Sequence, residues 1–250
     1  MHLLSVQDRI NFVHSLQIDA PSRLLAAASD APQSANVDAG SLVSFTSGVS
    51  DQHRSDALNS TLLAQLNSDT KFDRFDHAHV IDWYKNYASV LGKVGWTMQD
   101  FQFQNYQASG STFSIDTAIT QIVTAFLPAS EVAVVRATLN ALSSLDSDDP
   151  WYTVWDRSSH SADGGNFQLS TCTDHDGAVN TLVMQMSAYS FTTTETTTRF
   201  LWTNYHSSST ELHYATQTAT LNEDVYSQVR SAIIAKLGAK ASQFIGTLNI

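Results

Sequence analysis

Hydrophobic positions switch between two periods along this chain, and the switches mark its elements. Phe167 and Leu169 alternate with polar residues, the pattern of a half-buried strand over 167–173. Over 178–191 apolar residues occupy both parities: Val179, Val183 and Tyr189 on one, Leu182, Met184 and Met186 on the other. A strand of that kind is covered on both faces and belongs at the centre of a sheet. Further strands are predicted over 96–106, 151–159, 197–206 and 210–220, with gaps short enough for antiparallel pairing.

The helical period is clearest at Val80, Trp83, Tyr84, Tyr87, Val90, Leu91 and Val94, with Gly95 as a stop. Ser114 is placed to cap a helix whose Ile115, Ala118, Ile119, Ile122, Val123 and Phe126 form a wide apolar face. Leu127-Pro128-Ala129 breaks it, and Val132, Val135, Leu139 and Leu142 carry a second helix. Asp116, Glu131 and Arg136 are the only charges in 114–143, so this hairpin must be buried or enter something apolar. Asn222 caps a last long helix through Val225, Val229, Ile233 and Leu237, which Gly238 ends, and an amphipathic piece over 239–248 follows. At the other end, 1–30 reads as one or two short helices broken at Ala20-Pro21, and 56–68 as a helix. The Ser- and Asn-rich stretch 31–55, with Pro32, Gly40 and Gly48, reads as a loop or arm. The order predicts an α+β fold, α/β/α-like, with a mainly antiparallel sheet covered by helices in a single domain over 1–250.

Composition narrows the partners. The chain has 250 residues, 42% hydrophobic and 15% charged, with 13 Lys and Arg against 24 Asp and Glu for a net charge of −11. No cationic cluster interrupts that balance, so nucleic acid is excluded as a partner and electrostatic docking on anionic lipid is disfavoured. No apolar run is long enough for a spanning helix, and the N-terminus lacks a basic segment followed by an apolar one. This predicts cytosolic synthesis, with release by another route or association with a membrane.

Candidate chemistry is sparse. Cys172 is the lone cysteine, at the end of the strand over 167–173 and before a turn-like Asp174-His175-Asp176-Gly177. A cysteine nucleophile needs a base within hydrogen-bond reach and a third group orienting it, and neighbours along a turn do not supply that geometry. The Asp-His-Asp-Gly run is accounted for by turn chemistry alone. Asp73, Asp76, His77, His79 and Asp82 resemble metal ligands, but on a helix His77 and His79 point to different sides. Asp146, Asp148 and Asp149 lack the glycine and the final glutamate of a calcium loop, and Gly164-Gly165 reads as a hairpin turn. No catalytic residue and no metal site is predicted. Trp151, Trp155, Trp202, Tyr205 and Tyr214 fall on the predicted strands, where core packing is the commoner fate and lining a ligand cleft the alternative.

Four stretches resemble the virulence factor Evf family of bacteria, which has fungal relatives. They are Val90-Leu91-Gly92-Lys93-Val94-Gly95-Trp96, Phe167-Gln168-Leu169-Ser170-Thr171-Cys172, Thr198-Arg199-Phe200-Leu201-Trp202 and Thr220-Leu221-Asn222-Glu223-Asp224-Val225-Tyr226. The likeness runs over roughly two-thirds of the chain and leaves the N-terminal part unmatched. It implies a sheet wrapped in helices, akin to the Cyt-type cytolysins, and a family cysteine carrying palmitate as a thioester. Cys172 is the only residue able to take that role. The family is associated with bacterial persistence in insect guts rather than with a defined reaction.

At about 0.8 kcal/mol per methylene, a fully covered palmitoyl chain would contribute on the order of 10 kcal/mol. It would need a matching apolar slot. Ile119, Ile122, Val123 and Phe126 of the hairpin, with Val183, Met184 and Met186 of the central strand, are the expected lining. The expectation is a virulence-associated protein acting at host membranes through an acyl chain on Cys172, with fatty acid or membrane lipid as partner and the host partner undefined. A Cyt-like pore-former, an acyl-thioester enzyme and a soluble lipid- or ligand-binding module are the alternatives.

Overall fold

A computed structural model describes residues 4–18, 33–175, 181–197 and 199–250. In chain order it has helix α1 (Val6–Ser15), strands β1 (Ser34–Asp38) and β2 (Ser41–Phe45), and helices α2 (Asp51–Asp69) and α3 (Val80–Val94). Short strands β3 (Trp96–Thr97), β4 (Gln104–Asn105) and β5 (Thr112–Ser114) precede helices α4 (Ile115–Phe126), α5 (Ala129–Ser144) and α6 (Pro150–Ser159). Then come β6 (His160–Ser161), β7 (Gly164–His175), β8 (Thr181–Thr193), β9 (Asn204–His206) and β10 (Thr210–Leu221). Helices α7 (Glu223–Leu237) and α8 (Ala241–Phe244) and strand β11 (Ile245–Leu248) close the chain.

The main sheet runs β11-β1-β2-β7-β8-β10-β3, with β4 against β10 and β6 against β7. Its one parallel pair among the described residues is β2 with β7; the other pairs are antiparallel. Alternate residues of each strand enter opposite cores. Val43, Phe45, Cys172, Leu182, Met184, Met186, Ala215 and Ala219 face a core built with α1, α2, α3 and α7. Leu42, Phe167, Leu169, Tyr189, Phe191 and Leu212 face a core built with α4, α5 and α6. The fold is therefore α+β in three layers, with a mainly antiparallel sheet between helices.

Local chemistry explains the element ends. The Asn222 side chain accepts the Val225 N–H at 3.2 Å and starts α7. Gly95 ends α3 at φ +124°, where a Cβ would lie 3.2 Å from the Tyr226 backbone, so only glycine lets the two helices meet there.

Several expectations are corrected. The stretch 151–159 is helix α6, not a strand. Asp149 accepts the Trp151 N–H at 2.7 Å and Pro150 opens the helix, a start signal outweighed in the sequence by the strand preference of Trp and Tyr. Of the stretch 31–55 expected as a loop or arm, the described residues 33–55 are mostly strand and helix. Residues from Ser34 onward form the β1–β2 hairpin, and Ser50 caps α2 through the His53 N–H. Both strands are buried throughout although half their residues are polar, because those side chains find partners in neighbouring strands and in α2; Ser41 Oγ donates to Gln168 Oε1 at 2.7 Å, and Arg54 of α2 donates to Ser34 Oγ. The strand expected over 197–206 shrinks to β9, which pairs with β5 in a separate two-stranded sheet, and that over 96–106 shrinks to β3 and β4. Ser114 makes no capping bond to the α4 backbone; its hydroxyl pairs with Thr117 Oγ1 at 2.8 Å. Ala20-Pro21 and Asp176-Gly177 lie outside the described residues.

Candidate functional site around Cys172

Cys172 is not at the end of its strand but three residues inside β7. Met184 of β8 is opposite it on one side and Phe45 of β2 on the other. The thiol is fully buried and faces the α1, α2, α3 and α7 core. Burial pushes the thiol pKa well up, the Asp174 and Glu131 charges add to this, and Arg54 opposes it. The group is an uncharged thiol at neutral pH, and a poor nucleophile while the core is closed.

The sheet divides the expected acyl-pocket residues. Met184 and Met186 share a core with Cys172. Ile119, Ile122 and Val123 are buried in the opposite core, against α5 and α6. Val183 is half-buried and, next to Met184 on the strand, points to the other face; Phe126 at the end of α4 is also half-buried. The residues packed on the Cys172 side of the sheet therefore come from β8, not from the α4–α5 hairpin. Helical period placed Ile119 on an apolar face correctly, but periodicity carries no information on which side of a sheet that face lands.

Acidic and histidine residues pair in ways the sequence did not suggest. Asp174 Oδ1 lies 2.7 Å from Nδ1 of His53, with both side chains nearly buried, and Oδ2 accepts the Ser50 N–H at 3.1 Å. This clamps the end of β7 to the start of α2. His53 was hidden because its surroundings read as loop. Glu131 of α5 is buried and accepts from Gln185 Nε2 at 3.3 Å.

Among the histidine-rich candidates, His79 Nδ1 pairs with Asp76 Oδ2 at 2.7 Å, Asp82 with Lys85 at 3.1 Å, and Asp73 accepts the Phe75 N–H. No group of three or more His, Cys, Asp or Glu able to hold a metal occurs among the described residues. No helix among the described residues is long and apolar enough to cross a membrane. Of the aromatics expected on strands, Trp155 of α6 and Tyr205 of β9 are fully buried, while Trp151, Trp202 and Tyr214 are partly buried against the same core.

No family model matches the chain, and no curated protein matches it. Solved structures do. A delta-endotoxin matches with a TM-score of 0.43 at 11% identity, over 82% of this chain and 89% of that one. The activated Cyt2Ba monomer from Bacillus thuringiensis subsp. israelensis matches with a TM-score of 0.42 at 12% identity, over 74% and 97%. The Evf virulence factor matches with a TM-score of 0.40 at 10% identity, over 81% and 78%. These are likenesses of fold, and the chemistry of this site rests on this chain's own residues.

Proposed function

We infer that this protein is a non-catalytic, virulence-associated protein that carries a fatty acyl chain as a thioester on Cys172 and meets host membranes through it. The observation that carries the reading is the thiol's setting. The lone cysteine sits beside Met184 on a strand whose next same-face residue is Met186. Methionine side chains are unbranched and adaptable, so this part of the core repacks around a chain at lower cost than a β-branched one would.

Loading follows ordinary thioester exchange. The Cys172 sulfur attacks the carbonyl carbon of an acyl-thioester donor, a new S–C bond forms, and the donor's S–C bond breaks. The donor thiolate leaves and takes up the proton that Cys172 lost. Because burial holds that proton on Cys172, transfer precedes closure of the helices over β7. Intact mass of protein from its native source, before and after hydroxylamine and with Cys172→Ser as control, tests the reading. A hydroxylamine-labile acyl mass is expected; an unmodified mass overturns it.

Strand length favours a second reading, insertion of β7, β8 and β10 into a bilayer. They have 12, 13 and 12 residues, and β8 has no charged residue; about 9–11 tilted residues span a membrane. A lipid-facing wall also needs one face apolar on every strand. Here β7 puts Asn166, Gln168 and Ser170 on the face where β8 puts Met184, Met186 and Ala188. Dye-loaded liposomes are expected to stay sealed, and rapid release would replace the acyl reading with insertion.

A further inference from the structure

The face of the sheet that carries Cys172 also carries a buried polar chamber. Asp38 ends β1 opposite Ser41 of β2, and Ser41 lies beside Gln168 of β7. Ser170 is the next residue of β7 on that face and Cys172 the one after. Helices α2 and α3 cover them. Thr61 donates to Asp38 Oδ2, Gln65 Nε2 donates to the Asp38 carbonyl at 2.9 Å, and Gln65 Oε1 accepts the Gly40 N–H at 3.0 Å. From α3, Tyr84 donates to Asn166 Oδ1 at 2.8 Å and accepts from Gln168 Nε2 at 3.3 Å.

Three buried polar atoms of this chamber have no hydrogen-bond partner in the protein: Asp38 Oδ1, Tyr87 Oη and Ser170 Oγ. They come from three different elements. Tyr87 is close enough to both Asp38 and Cys172 to feel the charge of each.

A carboxylate is hard to hold in such a place. Among the described residues, the cation acting on Asp38 is Arg74, from the connection between α2 and α3. Its guanidinium is already committed: Nε and Nη2 donate to Asp69 at 2.8 and 2.6 Å, and Nη1 donates to the Ser158 carbonyl. Thr61 and Gln65 of α2 carry no charge. Tyr84 and Tyr87 of α3 and Cys172 of β7 keep their protons, because burial raises each pKa.

We propose that Asp38 is a proton-operated latch: with its proton on, the α2–α3 layer stays closed over β1, β2 and β7, and release of the proton to solvent loosens that layer. Desolvation raises the Asp38 carboxyl from 3.8 to about 8, against the smaller opposing effects of Thr61 and Arg74. The sign follows. Between these two values the opened state has lost the proton and the closed state keeps it, so closure is fully supported at acid pH. It weakens as pH rises, by about tenfold per pH unit, and levels off above about 8. The latch is independent of whether Cys172 is acylated.

Amide hydrogen exchange of α2 and β1, corrected for intrinsic exchange and followed from pH 5 to 8, reads the opening equilibrium. Wild type is expected to open about five-hundredfold more at the upper end. Asp38→Asn, which keeps an acceptor for Thr61, is expected to show little dependence by comparison. Equal slopes for the two proteins overturn the proposal. If Asp38→Asn does not fold, the carbon-13 shift of the Asp38 carboxyl in wild type decides: titration near 8 supports the latch and titration near 4 ends it.

Discussion

Arg230 offers the sharpest test of what holds the helical layer over Cys172. It lies on α7 and forks onto Asp56 of α2, with Nε donating to Oδ1 at 2.8 Å and Nη2 to Oδ2 at 2.6 Å. Asp56 is only 1% exposed, whereas Arg230 also reaches Glu223 at 2.7 Å on its open side. Arg230→Gln therefore strands a carboxylate in a place water does not reach. Removing one partner of a buried pair costs about 3–5 kcal/mol, because the remaining charge is uncompensated. Two contacts keep the loss inside that range: Gln52 Nε2 still donates to Asp56 Oδ1 at 3.1 Å, and Tyr226 still holds the Asp56 carbonyl. Urea unfolding followed by fluorescence measures the loss. Asp56→Asn with Arg230→Gln should be much less destabilised than the sum of the two single changes, since no charge is then left alone. Additive single changes, or a loss below about 1 kcal/mol for Arg230→Gln, would refute the reasoning.

Other outcomes follow from the same geometry. Ile119 is fully buried in the α4–α5–α6 core, so Ile119→Ala should cost about 2–5 kcal/mol in urea unfolding; a cost under about 1 kcal/mol would mean that α4 is mobile. Gly95→Ala places a Cβ against Tyr226 at a positive φ and should cost roughly 1–3 kcal/mol in thermal unfolding, whereas an unchanged midpoint would contradict the close approach. Unacylated Cys172 should react with a thiol reagent only as fast as the core opens, accelerating with denaturant. Labelling at the rate of a free cysteine in native buffer would show the thiol to be exposed.

Where side-chain chemistry and burial agreed, the fold was legible in the sequence. Val80 through Val94 became α3 with its periodic apolar positions inside, and Val225 through Leu237 lie in α7, where Val229, Ile233 and Leu237 are buried and Val225 is half-buried. The doubly apolar stretch became β8, flanked by β7 and β10 as a central strand must be. Legibility failed where polar residues are buried. Ser34-Ala35-Asn36-Val37-Asp38 has the composition of a loop, yet every residue is inside, because β11 and β2 satisfy its backbone and Thr61 of α2 bonds one of the two Asp38 carboxyl oxygens. Such burial is decided by partners far along the chain, which no local pattern encodes.

The same limit separates what the sequence could say about the site from what it could not. It singled out Cys172 and the neighbouring methionines, since a lone thiol near an apolar strand is visible in one dimension. Ile119 and Met184 looked like two walls of one slot, and only the sheet between them shows that they are not. Asp38, Thr61, Tyr87 and Ser170 lie far apart in sequence, and no single one is unusual. Together they make the Cys172 face polar along β1 and β7 and apolar along β8. On the acyl reading, that asymmetry would give a chain on Cys172 one direction to run, toward Met184 and Met186. The other direction would bury methylenes against Ser170 and Gln168, whose polar groups would then have no partner to gain. The thiol and the proton-holding carboxyl thus divide one helical cover between them, and the cover must lift for either to reach solvent.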